Sequence, residues 1–124
     1  GTDNFETRYL INDYCLRYKK ILISAAISKF DGHIFNFNFK KKTPCYRCFM
    51  PEVPVAENNC ESQGVMSTLA GIAGTLQANE VINSIINNKK DLPGEMLVFN
   101  SLTTNFRKIK LKKNPNCIKE CTKK

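Results

Sequence analysis

Residues 21–39, ILISAAISKFDGHIFNFNF, decide the fold class. Ile21–Ser28 is a short apolar run of the kind that forms a buried strand. Ile34-Phe35-Asn36-Phe37-Asn38-Phe39 alternates strictly, which places Phe35, Phe37 and Phe39 on one face of a half-buried strand. Asp31-Gly32 between them is a strong turn signal. A β-hairpin is therefore expected, closed by Lys40-Lys41-Lys42, which reads as a solvated turn.

On the N-terminal side, Phe5, Tyr9, Ile11, Cys15, Leu16 and Tyr18 recur near helical spacing and predict an amphipathic helix over 5–19, capped by Asp3 or Asn4. Beyond the hairpin, Pro44, Pro51 and Pro54 should keep 43–61 irregular. A long helix is expected over 63–88, with Val65, Leu69, Ile72, Ala73, Leu76, Val81, Ile82, Ile85 and Ile86 on its apolar face. Gly64, Gly71 and Gly74 fall inside it, each costing about 1 kcal/mol relative to Ala. Close packing against a sheet or a partner helix is the expected reason for them. Pro93-Gly94 ends this segment, and 96–99 with 106–111 predict a second hairpin whose last strand alternates apolar and basic residues. Antiparallel hairpins with helices imply an α+β unit or the trailing half of a larger α/β domain.

The chain has 124 residues, enough for one ordinary domain, with 42% hydrophobic and 24% charged residues, a globular rather than disordered balance. No apolar run reaches the roughly 18–20 residues a membrane span needs, and no secretory signal opens the chain. The net charge of +8 is uneven: Arg107–Lys124 holds eight Lys/Arg against one Glu, while the rest is nearly neutral. A basic tail of this kind is usually a solvated face. It also leaves open a non-enzymatic, zinc-bearing binding module whose tail contacts nucleic acid.

Six cysteines stand at 15, 45, 48, 60, 117 and 121. Disulfides and unligated thiols are both compatible with that number, but the close pairs Cys45/Cys48 and Cys117/Cys121 look more like a zinc site. Four thiolates leave no open coordination position, so such a site would be structural. Cys60 precedes the long helix, whose dipole favours a thiolate, while Glu57 and Glu61 oppose it. Cys15 falls on the apolar side of the first helix. His33, the one histidine, has no nucleophile beside it and reads as a turn or surface residue. Asp3 fits either a helix cap or a magnesium ligand. Neither GxGxxG nor GxxxxGK[ST] occurs.

Taken together, Thr2-Asp-Asn-Phe-Glu-Thr-Arg8, Thr43-Pro-Cys-Tyr-Arg-Cys48, Cys60-Glu-Ser-Gln-Gly-Val65, Gly74-Thr-Leu-Gln-Ala-Asn-Glu80, Phe106-Arg107 and Asn114-Pro-Asn-Cys117 resemble the MoeB/ThiF/HesA adenylyltransferases, bacterial relatives of ubiquitin-activating enzymes. The resemblance runs in order along nearly the whole chain but begins midway through the family's domain. It implies an α/β fold for residues 1–124: the C-terminal half of a Rossmann-like ThiF-type adenylation domain, with antiparallel strands, helices and a four-cysteine zinc site. The nucleotide-binding half would precede it, and Gly1 reads equally as a cloning scar or a trimmed boundary.

The resemblance also implies the chemistry. Members use ATP and magnesium to adenylate the C-terminal glycine of a ubiquitin-like sulfur carrier of the MoaD/ThiS kind, in molybdopterin- or thiamine-type sulfur transfer. Asp3 matches the aspartate that supports ATP and magnesium, Asn4 its nucleotide-contacting neighbour, and Arg8 a family arginine that either assists the nucleotide site or packs it. Cys45, Cys48 and Cys117 match zinc ligands. Cys121 is assigned as the fourth, although the family pattern CxxC would put it where Glu120 stands. Cys60 matches a cysteine that links covalently to the carrier in some members. A cytoplasmic enzyme (organellar if the source is eukaryotic), commonly a homodimer and without nucleic-acid or membrane partners, is implied; the fragment alone is expected to be inactive.

Overall fold

A computed structural model describes residues 2, 4–53, 64–86, 94–119 and 121. Its elements in chain order are α1 (Phe5–Arg17), β1 (Ile21–Ser28), β2 (Asp31–Asn38), α2 (Tyr46–Phe49), α3 (Ser67–Ile86), β3 (Glu95–Asn100) and β4 (Asn105–Lys110). The four strands form one antiparallel meander in the order β1-β2-β3-β4. Asn4 caps α1: its side-chain oxygen accepts the Thr7 N–H at 2.7 Å.

The alternation of β2 sorts two cores onto the two faces of the sheet. Phe35, Phe37 and Phe39 point to one face, where Tyr9 of α1, Tyr46 of α2 and the tail cysteines cover them. Phe35 and Phe37 stack with centroids 5.9 Å apart, and Phe37 and Phe39 stack at 5.7 Å. Ile34 points to the other face and packs with Phe99 and with Leu69 and Ala73 of α3. Each fully buried side chain of this size contributes about 1.5–3 kcal/mol. The result is a three-layer sandwich with α3 on one side and α1 with α2 on the other.

Several local expectations change. The hairpin turn lies at Lys29-Phe30, two residues before Asp31-Gly32, because Ser28 pairs with Asp31 and Lys29 takes a left-handed φ of 46°. Gly32 lies within β2, opposite Phe99, whose ring occupies the space a Cβ would need. β2 is buried on both faces rather than one: Asn36 and Asn38 are 5% exposed, and Asn36 donates to Glu80 of α3 at 3.2 Å. β1 is half-buried rather than buried, since it is an edge strand.

One helical turn, α2, forms between the prolines. Gly64 precedes α3 rather than lying in it, and among the described residues a Cβ at Gly71 or Gly74 would meet nothing within 4 Å. Leu69 and Ala73 are the buried residues of α3, joined at the sheet by Leu76, Gln77 and Glu80, and among the described residues nothing packs on the two glycines. Among the described residues, no helix is long and apolar enough to cross a membrane.

Candidate metal centre

Four cysteines meet on the α1 side of the sheet. Cys45 precedes the short helix α2 as its N-cap residue and Cys48 lies within it, and the chain after β4 returns Cys117 and Cys121 to them. Pro44 sets the entry: it lies against Gly94, which has a left-handed φ of 52° and no room for a Cβ. The Sγ atoms of Cys45 and Cys117 are 3.7 Å apart, those of Cys45 and Cys48 4.0 Å, and those of Cys48 and Cys121 3.3 Å; all four lie within 4.8 Å of one another. None is in a disulfide. A tetrahedral ion with metal–sulfur bonds of about 2.3 Å imposes a sulfur–sulfur separation of about 3.8 Å, so the donor set and its spacing fit one metal ion.

Electrostatics point the same way. Burial first, and then the charges of Cys48 and Cys117, push the Cys45 thiol up to about 12. Cys121 is pushed up by burial and by its cysteine neighbours. Cys48 is lowered: burial opposes ionisation there, but hydrogen bonds from the backbone at Asn114 and Cys45 and from the other cysteines outweigh it. Thiolates crowded into one buried site repel one another, and a divalent ion removes that repulsion.

The arms of the centre are held by α1. Asn12, fully buried, accepts the Tyr46 N–H at 2.9 Å and so satisfies a donor in the first turn of α2. Asp13 accepts Arg47 Nε and Nη2, both at 2.9 Å, and lies 3.1 Å from Lys119 Nζ. The Tyr9 hydroxyl donates to the Met50 carbonyl at 3.0 Å, and the Arg47 guanidinium stands 4.2 Å over the Tyr9 ring. Sequence reasoning missed Asn12 and Asp13. Both lie among periodic helix residues with no local mark, and Lys119 belongs to a tail that reads as a solvated face.

A second feature is a groove of about 800 Å³ along the open edge of β1, between Arg8 and Ile11 of α1 and Ala70, Gly74 and Gln77 of α3. Two edge carbonyls are taken by side chains: Gln77 Nε2 donates to Ile23 at 2.9 Å and Arg8 Nη1 to Ala25 at 3.3 Å, while Arg8 Nη2 also reaches Thr2. Asn4 is exposed at the start of α1. Asp3 and Cys60 lie outside the described residues. His33 sits in β2 rather than at the turn, with burial depressing its pKa against the opposing pull of Asp31. Cys15 is half-buried beside the aromatic core, as its place on α1 predicts.

A family model described as the ThiF family matches residues 1–119. The chain belongs to the ThiF family. This ThiF-family chain is 44% identical over 114 residues to a protein of Pyropia yezoensis named probable molybdopterin-synthase adenylyltransferase, covering 90% of the chain and 30% of that protein. It is 40% identical over 120 residues to adenylyltransferase and sulfurtransferase MOCS3 of Drosophila willistoni, covering 94% of the chain and 26% of that protein. The chain thus spans less than a third of the length of these curated relatives. Among solved structures, E. coli MccB superposes over 100% of the chain and 38% of its own, with a TM-score of 0.73 at 18% identity. That likeness establishes the α/β ThiF-type fold.

Proposed function

We propose that this chain is the C-terminal half of a ThiF/MoeB-type adenylyltransferase domain, and that its four cysteines hold a structural zinc ion. The complete protein would use ATP and magnesium to activate the C-terminal glycine of a ubiquitin-like sulfur carrier. The observation that carries this proposal is the 44% identity, across nine-tenths of the chain, to a protein named as a molybdopterin-synthase adenylyltransferase. That name favours a molybdopterin-type carrier over a thiamine-type one. The limited share of each relative supports a missing half, and the open edge of β1 offers a place for the next strand of a larger sheet.

The chemistry follows from the weakness of a carboxylate as an electrophile. The carrier's carboxylate attacks the α-phosphorus of ATP, pyrophosphate leaves, and the resulting acyl-adenylate carries AMP, a far better leaving group than hydroxide. Asp3 is assigned to the magnesium and phosphates, and Asn4 and Arg8 to the nucleotide. Cys60 is assigned to a covalent link with the carrier. The four cysteines would supply a cross-link between the tail and α2, with no coordination position left for substrate. A homodimer belongs to the same proposal, supported by the exposed Ile82, Ile85 and Ile86 on α3.

ATP–pyrophosphate exchange with a ubiquitin-like carrier tests this. The full-length protein should exchange and the isolated 124 residues should not. Robust exchange by the isolated chain would overturn the assignment to half a domain, and its absence from the full-length protein with both carrier types would overturn the activity.

A further inference from the structure

One carboxylate touches both arms of the cysteine cluster. Arg47 lies between Cys45 and Cys48, Lys119 lies between Cys117 and Cys121, and Asp13 binds both cations. The two arms are far apart in sequence and share no β-ladder, since α2 precedes α3 and the tail follows β4. Asp13 is held in turn: Asn12 Nδ2 donates to its Oδ1 at 3.1 Å, while Asn12 Oδ1 holds the Tyr46 N–H. The Asp13 side chain is 22% exposed and that of Arg47 17%, so water screens this bidentate pair only partly.

We propose that Asp13 is the positioning residue of the metal centre: it clamps the two cysteine arms in ligating geometry and thereby sets how slowly the ion is released. The proposal rests on the assignment of the four cysteines to zinc. Four thiolates around a divalent ion retain a charge of −2, which Arg47 and Lys119, themselves paired with Asp13, offset in part from opposite arms. Asp13 fixes both cations where they do so, without touching the metal. Losing the clamp leaves every ligand in place but frees the arms to part. Outer partners of this kind change metal affinity by about 10–100-fold when removed.

The test is zinc transfer from the full-length holo-protein to excess 4-(2-pyridylazo)resorcinol, with cobalt substituted in parallel to read tetrahedral thiolate coordination. Asp13→Asn should release zinc about 10–100-fold faster while keeping a tetrathiolate cobalt spectrum. Lys119→Met, at an exposed position, should accelerate release less. The double variant should be no faster than Asp13→Asn alone, because Lys119 acts through Asp13. Leu69→Ala, which destabilises the core on the opposite face of the sheet, is the control for a merely structural effect. Release from Asp13→Asn at the wild-type rate, additive single effects, or equal acceleration by Leu69→Ala would each overturn the clamp. A wild-type protein that binds neither zinc nor cobalt would instead overturn the zinc assignment itself.

Discussion

Asp13 receives the Nε and Nη2 atoms of Arg47, each at 2.9 Å, so that a residue of the first helix grips the two-residue spacer of a cysteine pair 34 positions away. A bidentate pair of this sort restricts both position and orientation. It makes α1 part of the framework of the cysteine cluster, although α1 contributes none of the four thiols.

Acid should weaken that grip in a defined window. Burial opposes ionisation of Asp13, but hydrogen bonds from Arg47, Lys119 and Asn12 together outweigh it and lower its pKa below the ordinary 3.8. A lowered carboxylate stabilises the fold fully above its unfolded pKa, and that contribution is lost as pH falls through the folded value. Asp13→Asn should therefore cost about 1–2 kcal/mol near neutral pH. The difference from wild type should shrink toward zero at the acid end, as read by urea unfolding across a pH series.

Removing a ligand should uncouple the tail. Cys117→Ser is expected to abolish stoichiometric metal binding and to lower stability by several kcal/mol, because about 10–16 kcal/mol of apparent binding free energy is linked to folding in structural zinc sites. Chelation of the wild-type protein should produce the same shift in unfolding midpoint, and chelating Cys117→Ser should change nothing further.

Glycines in the two layers should respond with opposite sign. Gly32→Ala drives a methyl group into the Phe99 ring, an overpacking that costs about 1–3 kcal/mol. Gly71→Ala meets open space within an exposed turn of α3 and should gain about 0.5–1 kcal/mol from helix propensity. Urea titration of both variants decides this. Sedimentation of Gly71→Ala then shows whether the bare face of α3 meets a second copy.

The core on the α3 side should depend on Leu69. Its side chain is fully buried against Ile34 and Phe99, so Leu69→Ala is expected to cost about 2–5 kcal/mol. Ile85→Ala, at a side chain 73% exposed, should change monomer stability by less than about 0.5 kcal/mol.

Much of this structure was legible along the chain. The alternation of Phe35, Phe37 and Phe39 is a local property of a strand's period of two, and it correctly placed all three rings on one face. The spacing of Cys45/Cys48 and Cys117/Cys121 likewise marked four donors, and the fold brings their sulfurs within 4.8 Å. Turn chemistry was less reliable. Asp31-Gly32 has the composition of a hairpin turn, yet Gly32 is needed where β2 passes beneath Phe99, and the turn moves to Lys29-Phe30 to keep that register. The exposure of β1 and the open faces of Gly71 and Gly74 were likewise invisible, because burial depends on neighbours that periodicity does not name.

By itself, the sequence determined the succession of helices and strands apart from the single turn α2, the aromatic face of β2, the four-cysteine donor set and the family. Each is written in short-range periodicity or in residue types at fixed spacing. Only the tertiary structure decided that Asn12 and Asp13 contact Tyr46, Arg47 and Lys119, that β2 is buried on both faces, and that β1 is, among the described residues, an edge strand lined by Arg8 and Gln77. These are relations between residues brought together by packing, and a carboxylate on a helix carries no local sign of which cation it will meet.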